Sequence, residues 1–282
     1  IFALRCMTPS GRRALRAFQF VAVPLACLAL WEILCRSGAV RAQLLPPASQ
    51  VFRKAWEALV PAQPFDPAAS SYLHWFFSGE LISDSLSSLY RVLVGFFIGA
   101  GLALPLGLLM GANKTVNQLL NPLVQILRPI PPIAYIPLSI LWFGLGNPPA
   151  FFLISLGAFF PVLMNTISGV RNVDSIYLRA ARNLGARGPV LFTRVICPAA
   201  LPYILAGLRV GLGVAFIVVI VAEMIAVNNG LGYRILEARE FFWSDKIIVG
   251  MFTIGLLGLG LDLAMERLNS HLLRWHRSLD QG

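Results

Sequence analysis

Six stretches of this chain stay apolar for close to the roughly 18–20 residues that carry an α-helix across a hydrocarbon core: 18–34, 92–110, 119–143, 150–169, 199–226 and 247–263. A soluble core cannot hide six such segments in 282 residues, so the chain reads as an all-α, polytopic membrane bundle of six transmembrane helices. The composition agrees: 57% of residues are hydrophobic, 13% are charged and mean hydropathy is +0.73, whereas a soluble domain is about one quarter charged. The first stretch follows Arg12, Arg13 and Arg16, as in a signal peptide. Its length, and a weak cleavage pattern at 39–42 that contains Arg41, favour a retained helix. In the third stretch, Pro129, Pro131 and Pro132 must break the helix, because proline lacks the N–H that a helix interior uses.

Charge sets the orientation. With six spans and the N-terminus inside, thirteen of the 23 basic residues fall on the cytoplasmic side against eight outside, with four and seven acidic residues respectively. Most of the net +10 therefore lies inside, as the positive-inside rule requires. The basic residues are not interleaved with stacking aromatics in one patch, which excludes a nucleic-acid surface. The chain then divides into a basic tail and first helix (1–36), an extracytoplasmic or interfacial connection (37–88), a membrane core (89–270) with a cytoplasmic loop at 170–198, and a cytoplasmic tail (271–282). The connection holds Tyr72, His74, Trp75, Phe76 and Phe77, which suit either an interfacial segment or a loop packed on the protein's own outer face. The four cysteines, Cys6, Cys27, Cys35 and Cys197, form no disulfide framework.

The loop at 170–198 has no span and must do something other than cross. Asp174 is placed to cap a helix that starts at Ser175 or Ile176 and continues through Arg179, Ala180 and Ala181. Gly185, Gly188 and Pro189 end it, and a second short helix, 190–196, leads through Pro198 into the next span. A helix, a glycine turn and a second helix, with exposed arginines and an apolar turn at Leu184 and Ala186, can insert into a partner's groove as a lever.

These residues resemble the EAA loop of ABC importer permeases. The family pattern is E-A-A, three residues, G, nine residues, I, one residue, L-P; here Ala180, Ala181, Gly185 and Pro198 keep that register. Arg179 stands where the family has its acidic residue, Val195 where it has isoleucine and Cys197 where it has leucine. An ion pair made by that acidic residue therefore does not carry over. The resemblance runs from about Asp84 to Arg277. The segments LRPIPPIAYIPLSILWFG, NTISGVRNVD, VAEMIAVNNGLGY and EAREFFWSDKIIVG look like the branch serving nitrate, bicarbonate, taurine and alkanesulfonates.

The resemblance implies a type I importer with a MetI-like permease core in the bacterial inner membrane. Two permease subunits, the second an identical copy, would form the pathway; a cytoplasmic ATPase dimer would supply ATP and Mg sites; a periplasmic or lipid-anchored binding protein would deliver substrate. The coupling element would comprise Arg179, Ala180, Ala181, Arg182, Asn183, Leu184, Gly185, Ala186, Arg187 and Gly188. Transport would proceed by alternating access. No catalytic residue, cofactor or metal is expected in this chain. Its run Gly107–Thr115 fails the phosphate-loop pattern, since Lys114 does not directly follow the second glycine. The three histidines, His74, His271 and His276, fall on opposite faces and form no metal cluster.

Polar residues within spans are functional candidates by default, and Arg128, Asn165, Ser168, Arg209 and Glu223 are therefore singled out for the pathway. Arg209 is either the planar partner of an oxyanion or the partner of a carboxylate or freed carbonyls. Arg128 either satisfies carbonyls freed by the proline break, the structural role being favoured, or faces the cytoplasmic mouth. Glu223 fits a structural or gating pair better than an anion site. Asn165 and Ser168 suit a substrate or, more commonly, helix–helix hydrogen bonding. Gly95/Gly99, Gly107/Gly111 and Gly207/Gly211 are GxxxG pairs for close helix packing. Asn228 to Tyr233 carries the residues of a tight turn facing outside. Two other readings stay open: a permease for an organic nutrient such as a thiamine-precursor pyrimidine, and an ATP-independent secondary transporter, under which the lever has no purpose.

Overall fold

The computed structural model describes residues 9–38, 41, 43–61, 75 and 77–273, and for residues 9–21 the backbone alone. Every regular element among them is helical: α1 (Pro9–Arg36), α2 (Ala48–Leu59), α3 (Glu80–Ala112), α4 (Lys114–Leu127), a 3₁₀ turn (Pro132–Tyr135), α5 (Ile136–Phe143), α6 (Asn147–Arg171), α7 (Ser175–Asn183), α8 (Gly188–Leu191), α9 (Cys197–Ala226), α10 (Leu231–Glu240) and α11 (Ser244–Leu272). Four described segments are long and apolar enough to cross a membrane: α3, α6, Gly188–Ala226 and α11. A fifth is the bent pair of α4 with Pro132–Phe143. The first expected span, 18–34, lies within α1.

Contacts group the chain into two compact units, residues 1–80 with 237–249, and residues 81–236 with 250–282. In the first, Glu32 of α1 receives the Ser49 N–H at 3.1 Å and the Ser49 hydroxyl at 2.8 Å, so a carboxylate near the end of one helix caps the start of the next. Its other partner is Arg36, one turn away at 2.7 Å. Helix α2 is amphipathic and exposes Phe52 and Trp56. Of the aromatic cluster expected here, Tyr72, His74 and Phe76 lie outside the described residues, as does Cys6 among the cysteines.

The second unit is built on α6. Helix α3 runs parallel to it, with Gly95, Gly99, Ala103, Gly107 and Gly111 spaced every four residues. A Cβ on Gly95 would lie 2.6 Å from Ile154, on Gly107 2.7 Å from Thr166 and on Gly111 2.6 Å from Val170, and on Gly99 it would strike the Ser155 carbonyl. Apolar burial drives no association between helices in lipid, so close backbone approach is what holds this pair. Helix α9 packs antiparallel on another face of α6. There Gly207 meets Asn165, and Gly211 meets Val162 and Ala158. All three GxxxG pairs thus lie at helix contacts.

Three boundaries differ from the sequence reading. Helix α3 begins at Glu80, so residues 80–88, assigned above to the connection, are its first turns. The second short helix is not a separate element and starts at Gly188 instead of Val190: Gly188–Ala226 is continuous through a π turn at Phe192–Ile196. Pro198 has no N–H to donate, and just before it the Cys197 N–H reaches back five residues to the Phe192 carbonyl, which carries the helix past the missing bond. Finally, α4 starts at Lys114, where the Asn113 side chain accepts from the N–H groups of Thr115 and Val116.

Candidate functional site

The end of the second unit that carries residues 172–187 is called the lever end. There α7 is capped by Asp174, whose carboxylate accepts from the Ile176 N–H at 2.8 Å. It closes with the Ala186 N–H donating to the Ala181 carbonyl (2.9 Å) and the Gly185 N–H to the Arg182 carbonyl (3.0 Å). This is a Schellman termination, and it requires the left-handed backbone that Gly185 adopts at φ +87°. No atom lies within 4 Å of a Cβ built on Gly185, so the glycine serves conformation and not space. Arg179, Ala180, Arg182, Asn183 and Arg187 are exposed, Ala181 and Ala186 half-buried, and Leu184 at the tip is 89% exposed. Gly188 then opens the continuous helix that becomes α9. The lever is thus a short, rigid helix joined by one turn to a membrane-spanning rod.

At the opposite end of the unit, Asp84, Ser88 and Arg91 occupy one face of α3 and Glu223 lies near the end of α9, all buried. Arg91 pairs with Glu223 at 2.6 Å, donates to the Asn147 side chain at 2.7 Å and to the Asn229 carbonyl at 3.1 Å, and also meets the Asn229 side chain. Glu223 further accepts from the Ser88 hydroxyl (2.8 Å) and the Gly232 N–H (2.9 Å). Asp84 accepts from the Gly230 N–H (2.9 Å) and Arg234 (2.6 Å). Gly230 (φ +104°) lets the chain pass so close that a Cβ would sit 2.5 Å from the Glu223 carboxylate. The turn at Asn228 to Tyr233 is therefore folded inward onto this cluster. Sequence reasoning placed Asp84 and Arg91 among outside loop charges and missed the cluster; the signal was polar residues at i, i+4 and i+7 adjoining an apolar helical run.

Arg209 meets Asp262 of α11 through two bonds of 2.6 Å, with Glu266 at 3.5 Å. Of the alternatives open for it, the carboxylate partner is the one present, and both Asp262 and Glu266 lie on α11.

The proline break forms the remaining feature. Helix α4 ends with the Arg128 N–H on the Val124 carbonyl, and the chain turns by 83° before Pro132–Phe143 continues. Arg128, Pro131 and Pro132 line a hollow of about 330 Å³ whose other walls are α6, from Leu156 to Asn165, and α9 at Val210 and Val214. Arg128 is exposed, and its side chain makes no hydrogen bond or ion pair among the described residues. The carbonyl-satisfying role favoured for it is not what the geometry shows. Asn165 donates to the Pro161 carbonyl at 2.8 Å and also borders the hollow. Of the five candidates, the hollow brings together Arg128 and Asn165; Arg209 lies at the α11 contact, Glu223 in the buried cluster, and Ser168 is exposed elsewhere on α6.

Residues 103–277, more than half of the chain, match the family described as binding-protein-dependent transport system inner membrane component. An ABC transporter permease sequence from Methanocaldococcus jannaschii is 45% identical over 72% of this chain and 76% of its own length. The taurine transport system permease of Escherichia coli is 35% identical (88% and 86%), and the bicarbonate transport system permease of Synechococcus elongatus 33% (94% and 95%). The fold is that of the MetNI methionine ABC transporter in an inward-facing form, with TM-score 0.62 at 18% identity over 72% of this chain and 99% of that one. A lever between spans, helices locked by glycine contacts and a broken helix beside a hollow are thus features of a chain that belongs to the inner membrane permeases of binding-protein-dependent ABC transporters.

Proposed function

We propose that this chain is the permease subunit of an importer that moves a small anion of the sulfonate or bicarbonate class into the cytoplasm by alternating access. The observation that carries the reading is the lever: a capped, rigid α7 with Leu184 almost fully exposed, joined through Gly188 to a helix that continues into the membrane as far as Ala226. A push on α7 reaches α9 through the single turn at 184–187, which is closed by two backbone hydrogen bonds. In this reading the lever end and both termini face the cytoplasm, as the arginine distribution favours. The lever seats in a groove of an ATPase dimer, which holds ATP and Mg. A second, identical permease completes the pathway, and a binding protein delivers substrate at the Asn147 end. The substrate class rests on the relatives that carry taurine and bicarbonate.

The test is ATPase activity of the purified complex in nanodiscs, with its binding protein and a panel of taurine, ethanesulfonate, bicarbonate and nitrate. Stimulation by one anion, lost in Leu184→Asp, is expected. Absence of any co-purifying ATPase contradicts the coupled mechanism, and stimulation by none of the anions contradicts the substrate class.

A further inference from the structure

We infer that the hollow beside the proline break is an intramembrane binding site for a single small oxyanion, with the Arg128 guanidinium as its charge partner and Asn165 as a second donor. This rests on the importer reading above but makes a separate claim, since such a permease need hold no defined substrate site in the membrane.

Arg91, Arg128 and Arg209 are three of the arginines in or beside the spanning elements of the second unit. Arg91 and Arg209 each have a carboxylate at 2.6 Å. Arg128 has none, and none is within reach along the chain, because no Asp or Glu occurs anywhere in residues 85–173, the stretch that supplies α4, the break and α6. The α9 segment bordering the hollow, 210–214, has none either. A lone guanidinium at membrane depth is costly to maintain, and a counter-ion that comes and goes is the arrangement that makes it useful. Arginine offers paired N–H groups that fit two oxygens of a sulfonate or carboxylate.

The remaining polarity is consistent with an anion. Asn165 spends one N–H on the Pro161 carbonyl and keeps the other for a ligand. The rest of the wall is apolar, from Pro132, Gly157, Met164 and Val214 among others. At about 330 Å³ the hollow lies at the small end of ligand pockets, which run from roughly 300 to 1,000 Å³. It therefore suits one anionic group with at most a short tail. The proline break builds the site: with residues 129, 131 and 132 all proline, the chain cannot continue α4, and the turn leaves Arg128 beside the hollow.

The experiment uses the complete importer in phosphatidylcholine nanodiscs, with the four native cysteines replaced by serine and Met164→Cys as a reporter in the hollow wall. Modification rates are compared for 2-sulfonatoethyl methanethiosulfonate and its trimethylammonium counterpart. The anionic reagent should react about tenfold faster than the cationic one, ethanesulfonate should slow it, and Arg128→Gln should abolish the preference. Equal rates for the two reagents, or a preference that survives Arg128→Gln, overturn the inference. Should Arg128→Gln not assemble, the rate ratio and the protection measured with Arg128 present still decide. Uptake by the unmodified complex separates the two claims: failure to take up any anion counts against the proposed function, whereas uptake without charge preference at Met164→Cys counts against this site alone.

Discussion

In the Asp84–Arg91–Glu223 cluster, every charge is buried and every charge is answered, with Arg91 bonded to α6, α9 and the 228–232 turn at once. In the hollow, Arg128 is exposed and unanswered by any described residue. Both are arginines at the margin of apolar helices, so residue type does not separate structure from function. Partner supply does. A guanidinium with a permanent carboxylate holds helices together, and one without is free to take a mobile anion.

Breaking the contrast at its strongest point means leaving a buried charge alone. Glu223→Ala strands Arg91 and should cost about 3–5 kcal/mol, seen as a large fall in thermal stability of the solubilised complex. Arg128→Met strands nothing and should change stability by no more than about 0.5 kcal/mol. A comparable loss for both would erase the distinction. Next in size is the α3–α6 contact: Gly99→Leu forces the helices apart and should cost about 1–3 kcal/mol, while Gly101→Ala, with open space around it, should be neutral in the same assay. At the lever, Gly185→Ala must hold a left-handed backbone at a cost of about 1–2 kcal/mol, and should raise the ATP hydrolysed per anion imported. The smallest effect is expected at the third arginine. The side chains of this Arg209–Asp262 pair are 38% and 47% exposed, so replacing both, as Arg209→Met with Asp262→Leu, should leave the thermal stability of the complex close to that of the parent.

Much of this was legible in the sequence because it is written in local patterns. The apolar runs mark spans by length alone, the four-residue glycine spacing marks α3 and its contact face, and Asp174 with Gly185 bounds α7 by cap chemistry that needs no tertiary context. What was not legible depends on partners distant in the chain. Arg209 and Asp262 are separated by 53 residues, and nothing in the neighbourhood of either reveals the pair. The buried cluster was lost for a different reason: the span was started at Val92, where apolarity begins, whereas hydrogen bonding to Glu223 and the 230–232 turn lets the helix begin at Glu80 and bury its polar turns. Near Pro198 the passage into the next span was legible, but the π turn at Phe192–Ile196 that makes the two pieces one helix was not. Arg128 shows the converse limit, because the proline break was plain but the side of it on which the guanidinium would fall was not.

The most direct test sets the two arginines side by side, measuring thermal unfolding and ethanesulfonate uptake for Arg128→Gln and Arg91→Gln in the same reconstituted importer. Arg128→Gln should unfold within about 2 °C of the parent protein and lose uptake at least about tenfold, while Arg91→Gln should be strongly destabilised. An Arg128→Gln importer that takes up the anion at the parent rate, or that unfolds as early as Arg91→Gln, would contradict it.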